Sequence, residues 1–475
     1  MNESDLNLTK NVDTGIDPYA PMPTGVPTER VDDTPLAKNP SFLGMASTQF
    51  LGAFNDNLYK QLVLLLAVPV VIAAQQGAVA DEKASDVQGW ATLVFSLPFV
   101  LFSGYAGFLS DKYSKRNVIV LAKFAEIVIM SLSAAAFFYY DQLGMLGTWT
   151  VLFFMGTHST FFGPGKYGIL PELLPKKQLA NANGVILMST FLAIILGTLA
   201  AGAVFDMFAT EVKDGYAVAA PLWKGSVVCI GVAIVGTLTS LMVRRTAPAQ
   251  PDAALSVDSF FVDRQVSATL WKDRSLLIAL LVSCVFWLVS GICVPVINRV
   301  GQLLQVTKFQ TSILVAAIAL GIMVGSIIAI TLQSLKITNS RRQVFIGLWG
   351  MTIMLSIVSI WEGQLPMLGY WPIFCVLLVL GIFVATYAIP LQVFLQSRPP
   401  DILKGRMIAT MNQANFIGIL LSGPLYQLFQ GLAGALGLPI NSVFGMMAML
   451  LLPLAIFYRL NENTQPEEGE YATAA

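Results

Sequence analysis

The sequence predicts an all-α integral membrane protein whose twelve transmembrane helices form two pseudo-symmetric six-helix bundles. Three observations carry that expectation. Apolar residues make up 55% of the chain and charged residues 12%, with a mean hydropathy of +0.69, a balance foreign to a water-soluble protein of this length. Apolar runs of roughly 20 residues, enough to cross the hydrocarbon core as a helix, recur along nearly the whole chain. Basic residues fall in alternate connections between those runs, as the positive-inside rule demands. Lysine plus arginine equals aspartate plus glutamate at 28 each, so net charge points to no nucleic-acid partner.

In chain order the spans are expected at 42–73, 88–109, 117–140, 146–165, 179–209, 222–243, 276–298, 310–333, 343–361, 371–395, 405–430 and 440–459. The first and fifth exceed a perpendicular crossing and should tilt or extend into the interface. Lys112, Lys115 and Arg116, then Lys176 and Lys177, Arg244 through Arg274, Lys336, Arg341 and Arg342, Arg398, Lys404 and Arg406, and finally Arg459 mark the cytoplasmic connections. An even number of spans then leaves both termini in the cytoplasm of a multi-pass plasma (inner) membrane protein. Residues 1–40, rich in proline and without a signal-peptide pattern, and residues 461–475 read as disordered cytoplasmic tails.

The long polar segment 244–275 separates an N-terminal bundle, 41–243, from a C-terminal bundle, 276–460. An internal repeat supports the division. Lys115-Arg116-Asn117-Val118 has a partner in Arg341-Arg342-Gln343-Val344, and Pro164 one in Pro390, at a common separation (342 − 116 = 390 − 164). Two parallel six-helix repeats are the arrangement of major facilitator transporters.

A polar cluster, Asn55-Asp56-Asn57 with Lys60, interrupts the first apolar run. An ionised side chain at the bilayer centre costs on the order of 3 kcal/mol or more, so such residues turn to a protein interior or a water-filled cavity. Asp56 and Lys60 are four apart and share a helix face with Gly52 and Gln49. They form either a self-neutralising structural pair or part of a substrate site. Lys123 and Glu126, three apart in the third span, read as a structural pair. Gln392, Gln396, Asn412, Gln413 and Asn415 place amides on spans ten and eleven, where interhelical packing is their commonest role. Gln392 and Asn412 are also candidate head-group contacts. The lone His158 reads as a satisfied interior residue. Cys229, Cys284, Cys293 and Cys375 lie in apolar runs without metal-ligand or redox spacing.

Gly107-Phe108-Leu109-Ser110-Asp111-Lys112-Tyr113-Ser114-Lys115-Arg116 resembles the major facilitator signature loop, with Ser114 where that pattern has its second glycine. The resemblance implies a cytoplasmic gate in which Gly107, Asp111, Lys115 and Arg116 take part, together with Glu172. A narrower resemblance rests on Phe54-Asn55-Asp56-Asn57, on Gly163-Pro164-Gly165-Lys166-Tyr167-Gly168-Ile169-Leu170-Pro171-Glu172, on Leu179 through Gly184, and on Ile389 through Ala409. These look like the lysophospholipid transporter family and the transporter part of its fusions with acyltransferase and acyl carrier protein synthetase. That resemblance implies inward movement of a lysophosphatidylethanolamine-like lipid, with a separate acyltransferase/acyl-ACP synthetase as partner and no cofactor. By position it carries the family's first-helix aspartate to Asp56 and its fourth-to-fifth-helix element to Lys166, Glu172 and Asn183. The expected substrate contacts are Asp56, Asn57, Lys60, Lys166, Gln392 and Asn412. Some family members have an arginine in the seventh helix after a Phe-Trp pair. Here Phe286-Trp287 is followed by Leu288 through Val296 without a base, so Lys60, Lys123 or Lys166 would have to meet a phosphate.

Read from the residues alone, Gly163, Pro164, Gly165, Gly168 and Pro171 should form a turn that ends span four. No acyltransferase His-x-x-x-x-Asp pair is possible, because Gly163 stands where the acid is needed, and no phosphate-binding loop of the P-loop kind is present. Transport rather than catalysis is the expected class. The alternative to a lipid substrate is proton-coupled transport of a small organic solute.

Overall fold

The computed structural model describes residues 34–69, 86–213, 216–252, 264–399 and 404–460. The expected tails at 1–33 and 461–475 and the end of the first span at 70–73 lie outside the described residues. Within them the chain forms α1 Pro40–Leu66, α2 Gln88–Lys112, α3 Lys115–Phe138, α4 Tyr140–Gly168, α5 Leu170–Leu173, α6 Lys176–Phe208, α7 Trp223–Leu241, α8 Arg264–Lys272, α9 Arg274–Leu303, α10 Lys308–Ser334, α11 Ser340–Val358, α12 Tyr370–Ser397, α13 Lys404–Ala435 and α14 Ser442–Phe457. The short α5 and α8 are additions to the expected twelve. So are two small hairpins, β1 Val212–Lys213 with β2 Tyr216–Ala217 and β3 Trp361–Glu362 with β4 Leu365–Pro366. Eight of the described helices are long and apolar enough to cross a membrane on length and composition alone.

Helix starts follow from the local sequence. Asn39 caps α1 by accepting from Phe42 N at 3.1 Å, with Pro40 in the first turn, where its missing N–H costs nothing. Asp273 does the same for α9, and Thr307 with Gln310 forms a capping box on α10. Gly144 has φ 55, a left-handed conformation that suits glycine. It breaks α4 near its start, so the spanning part begins close to the expected residue 146.

The expected turn at 163–168 is not there. Gly163, Pro164, Gly165 and Gly168 are helical, and α4 ends only at Gly168, with Pro171 in the first turn of α5. The reason is packing against α3: a Cβ on Gly165 would stand 3.1 Å from Ile119, and one on Gly168 2.9 Å from Lys115. These glycines bring two helices together instead of reversing the chain.

Within the first half α1 packs on α6, α2 on α4, α3 on α4 and α7; in the second, α9 packs on α13, α10 on α12, α11 on α12 and α14. The same pairs recur, which is the pseudo-symmetry expected from the repeat. Pro164 and Pro390 both lie inside helices, α4 and α12. Tyr59 of α1 donates to Thr148 O and Tyr387 of α12 to Val282 O, each at 3.0 Å. Thus each bundle ties its first helix to its fourth through a tyrosine.

Burial is inverted relative to a water-soluble protein. On α3 the exposed stripe is Leu121, Phe124, Val128 and Leu132, whereas Lys123 and Glu126 on the other face are each 0% exposed. That face arrangement suits hydrocarbon outside and polar groups inside.

Candidate functional site

Lys123, Glu126, His158 and Asp56 come together between α1, α3 and α4. Lys123 Nζ donates to Glu126 Oε2, the pair expected from their spacing. Its ammonium passes between α1 and α7 because Gly52 and Gly236 leave room: a Cβ on either would stand 3.2 and 2.9 Å from Nζ. Asn55 donates to Glu126 Oε1 at 2.8 Å and to Cys229 O at 3.0 Å. His158 Nε2 lies 3.4 Å from Glu126 Oε2. Ser159 Oγ donates to Asp56 Oδ2 at 2.5 Å, while Asp56 Oδ1 is buried without a hydrogen-bond partner.

The expected polar stripe on α1 is divided among several neighbours. Gln49 donates to Thr190 of α6 at 2.9 Å, Gly52 faces Lys123, and Asp56 turns to α4. Asp56 and Lys60 form no ion pair. The Lys60 ammonium instead sits 5.3 Å from the centroid of the Phe95 ring on α2, a cation–π contact. Both Lys60 and Lys166 remain within electrostatic reach of Asp56. Asn57 donates to Ala53 O of its own helix at 2.8 Å and packs beside Gly197 of α6, which withdraws its amide N–H from the site. Asn415 accepts from Ser283 at 2.8 Å and holds α13 to α9. Asn412 is exposed, one turn from Phe416, and Gln392 is half-buried on α12.

The signature loop stays within the first bundle in this conformation. Lys115 pairs with Glu172 at 2.5 Å; Arg116 donates to Val243 O and Leu241 O; Arg244 donates to Glu172 O at 3.2 Å. The Asp111 carboxylate is exposed and its backbone oxygen accepts from Gln250 N at 2.8 Å. A Cβ on Gly107 would meet nothing within 4 Å.

The two bundles are joined at the opposite, base-poor end. Asp86 accepts from Tyr426 OH at 2.6 Å and from Gln88 N at 3.0 Å, and Arg299 Nε approaches it to 3.6 Å. Gln61 donates to Asn298 Oδ1 at 2.9 Å, and Asn298 donates to Gln88 Oε1 at 2.8 Å. Asp206 of α6 accepts from the Lys308 and Phe309 N–H groups at 2.9 and 2.7 Å, a carboxylate on the positive end of α10. Further along α2 and α13, Phe99 stacks on Phe416 with centroids 3.9 Å apart. Burial pushes the Asp86 carboxyl up from its ordinary value, against the opposing pull of Tyr426, Gln88 and Arg299. Gly89 and Gly423 touch backbone to backbone. Among the described residues, the hydrogen bonds that join the two bundles gather at this end.

The Major Facilitator Superfamily profile matches residues 45–423. The chain belongs to the major facilitator superfamily. Among relatives, the lysophospholipid transporter LplT of Klebsiella pneumoniae strain 342 is 27% identical over 412 residues, covering 84% of this chain and 91% of that protein. The protein of the same name from Escherichia coli O157:H7 (strain EC4115) is 27% identical over 419 residues, covering 86% and 94%. Among solved structures, a D-xylose–proton symporter superposes with a TM-score of 0.63 at 13% identity, covering 88% of this chain and 97% of that one. The inward-open xylose transporter XylE from E. coli gives 0.61 at 13%, covering 89% and 98%. These structures share the fold of this chain. Sequence reasoning missed the closed-end residues Asp86, Gln88, Asp206 and Tyr426, because each reads as an ordinary loop or helix-end residue until the second bundle is placed against it.

Proposed function

We propose that this major facilitator protein is a secondary transporter that moves lysophospholipid, of the lysophosphatidylethanolamine kind, across the inner membrane by alternating access. The observation that carries the reading is Asp56, a carboxylate with one buried oxygen unsatisfied, with Lys60 and Lys166 in electrostatic reach. A zwitterionic head offers an ammonium to the one and a phosphate to the others. The relatives' shared name supports the same substrate class. Asn412 and Gln392 are proposed neutral contacts, and a separate acyltransferase/acyl-ACP synthetase is the proposed consumer of the product.

With the basic end and both termini in the cytoplasm, the closed end is the outer gate, and the conformation faces inward. Gly107, Asp111, Lys115, Arg116 and Glu172 are proposed to form the inner gate, engaging the second bundle only in the outward-facing state. Asp111→Asn should lower the maximal uptake rate about two- to fivefold, the worth of an exposed charge contact, with KM unchanged. Loss of substrate binding with cycling intact would remove the gate role.

The substrate is tested in proteoliposomes with labelled lysophosphatidylethanolamine against a panel of small solutes. Because Lys60 rests on Phe95, Asp56→Asn leaves no paired lysine stranded, and the variant should stay folded. A charged hydrogen bond contributes about 1.5–3 kcal/mol, so uptake should fall about ten- to hundredfold. Uptake of a small solute in place of the lipid, or normal lipid uptake by Asp56→Asn, would overturn the reading.

A further inference from the structure

Where the two bundles join, the charges are divided between them. The carboxylates, Asp86 just before α2 and Asp206 near the end of α6, belong to the first bundle; the cations, Arg299 of α9 and Lys308 at the start of α10, belong to the second. Their hydrogen bonding is uneven. Asp86, 3% exposed, accepts from Gln88 N at 3.0 Å, from Gln88 Nε2 at 3.1 Å and from Tyr426 OH at 2.6 Å. Arg299 carries several N–H donors in a fixed fork, yet among the described residues only its Nη1 finds an acceptor, Gln302 Oε1 at 2.5 Å on its own helix. Its Nε is buried without a hydrogen-bond partner, 3.6 Å from Asp86 Oδ2. The Lys308 ammonium rests 5.9 Å from the centroid of the Phe205 ring, within electrostatic reach of Arg299, Asp86 and Asp206.

The carboxylate is thus satisfied without the guanidinium, whose Nε/Nη2 edge is covered by Asp86 but not hydrogen-bonded to it. We propose that Arg299 and Lys308 form an outer phosphate-binding site, which takes the phosphodiester of a lysophospholipid head group when the bundles part and which Asp86 covers when they close.

Opening the outer end carries Asp86 and Asp206 away with the first bundle and leaves two neighbouring cations on the second without a counter-charge. A phosphate relieves both. Two of its oxygens match the Nε/Nη2 edge of a guanidinium, while a lysine meets the same group as a point charge. Gln302 holds Nη1 from within α9, so the free edge is set before the anion arrives. Phosphate and Asp86 compete for that edge, and the outer end closes only once the head group has moved inward from Arg299. That the phosphate belongs to a lysophospholipid rests on the reading above; the phosphate site rests on the charges alone.

The test is binding of labelled lysophosphatidylethanolamine to protein in lipid nanodiscs, with a monoacylglycerol of the same chain length as a phosphate-free competitor. Arg299→Gln should weaken lysolipid binding about ten- to hundredfold, the worth of a charged hydrogen bond, and leave displacement by the monoacylglycerol unchanged. Arg299→Lys, which keeps the charge and loses the fork, should recover part of the loss. Asp86→Asn keeps an oxygen for Tyr426 and removes the competing charge, so it should tighten lysolipid binding about two- to tenfold. If Arg299 were only half of a gate, Arg299→Gln and Asp86→Asn would shift affinity in the same direction; that result, or equal weakening of both ligands by Arg299→Gln, overturns the site. A wild type that binds no lysolipid overturns the lysophospholipid reading instead. The site is then decided by inorganic phosphate, which should raise the melting temperature of Asp86→Asn protein and not that of the double variant Asp86→Asn with Arg299→Gln. No shift with phosphate in either protein overturns the site as well.

Discussion

Glu126→Ala is expected to prevent accumulation of folded protein in the membrane. The substitution leaves the Lys123 ammonium, 0% exposed, without its carboxylate, and removes the acceptor of Asn55 and the neighbour of His158. Removing one partner of a buried pair costs about 3–5 kcal/mol, against a total stability of about 5–15 kcal/mol for a typical protein. The Lys115–Glu172 pair at the basic end has no such leverage, because solvent reaches the Glu172 side chain at 27% exposure. Replacing both members, Lys123→Met with Glu126→Gln, removes the stranded charge while keeping an amide for Asn55, and should recover most of the yield. Thermal stability in detergent, followed by size-exclusion profile, reads the difference. A Glu126→Ala protein that melts with the wild type would show that Lys123 is compensated by other means.

The fold is legible in the sequence because bilayer thickness, apolar run length and loop charge are one-dimensional quantities. Each span can be located without knowing its neighbours, and the shared separation of Arg116 from Arg342 and Pro164 from Pro390 announces the repeat. What depends on a neighbouring helix is harder to read. Gly163, Pro164, Gly165 and Gly168 have the composition of a turn, yet they continue α4, with Gly165 and Gly168 set closely against Ile119 and Lys115 of α3. Asp56 and Lys60 have the spacing of an ion pair, yet the aromatic face of Phe95 takes the ammonium and Ser159 takes the carboxylate. His158 reads in sequence as a satisfied interior residue, and only the fold brings Glu126 to within 3.4 Å of its Nε2. Lys123–Glu126, a pair within one helix turn, is readable for the same reason that the spans are: its geometry is local.

Gly89→Trp is expected to hold the outer gate open and stop transport. At Gly89 even a Cβ would stand 2.5 Å from Gly423 O and 3.0 Å from Gln427 Cγ, and a Cβ on Gly423 would in turn fall against Gly89 O. The clashing atoms include backbone on both helices, so a rotamer change cannot relieve the overlap. Overpacking of this kind costs about 3 kcal/mol or more for so large a side chain, which is about a hundredfold or more against the closed outer state. The hydrogen bonds that close the same end, Tyr426 to Asp86 and Asn298 to Gln88, each contribute only about 0.5–1.5 kcal/mol net. They sit beside the wedge and would be pulled apart with it. Asn298→Cys, in a background without the four native cysteines, supplies the reporter, since position 298 is 0% exposed in the closed state. Because Asn298→Cys itself removes the bond to Gln88 and a cycling protein opens outward part of the time, the comparison is with Asn298→Cys alone: a membrane-impermeant maleimide should label it from outside faster when Gly89→Trp is also present. Asp206→Asn, which weakens the contact of α6 with the α10 N-terminus, should raise labelling by a smaller factor without stopping transport. If the Gly89→Trp protein folds, cycles and keeps position 298 protected, the α2–α13 contact is packing within a rigid unit and the gate lies elsewhere.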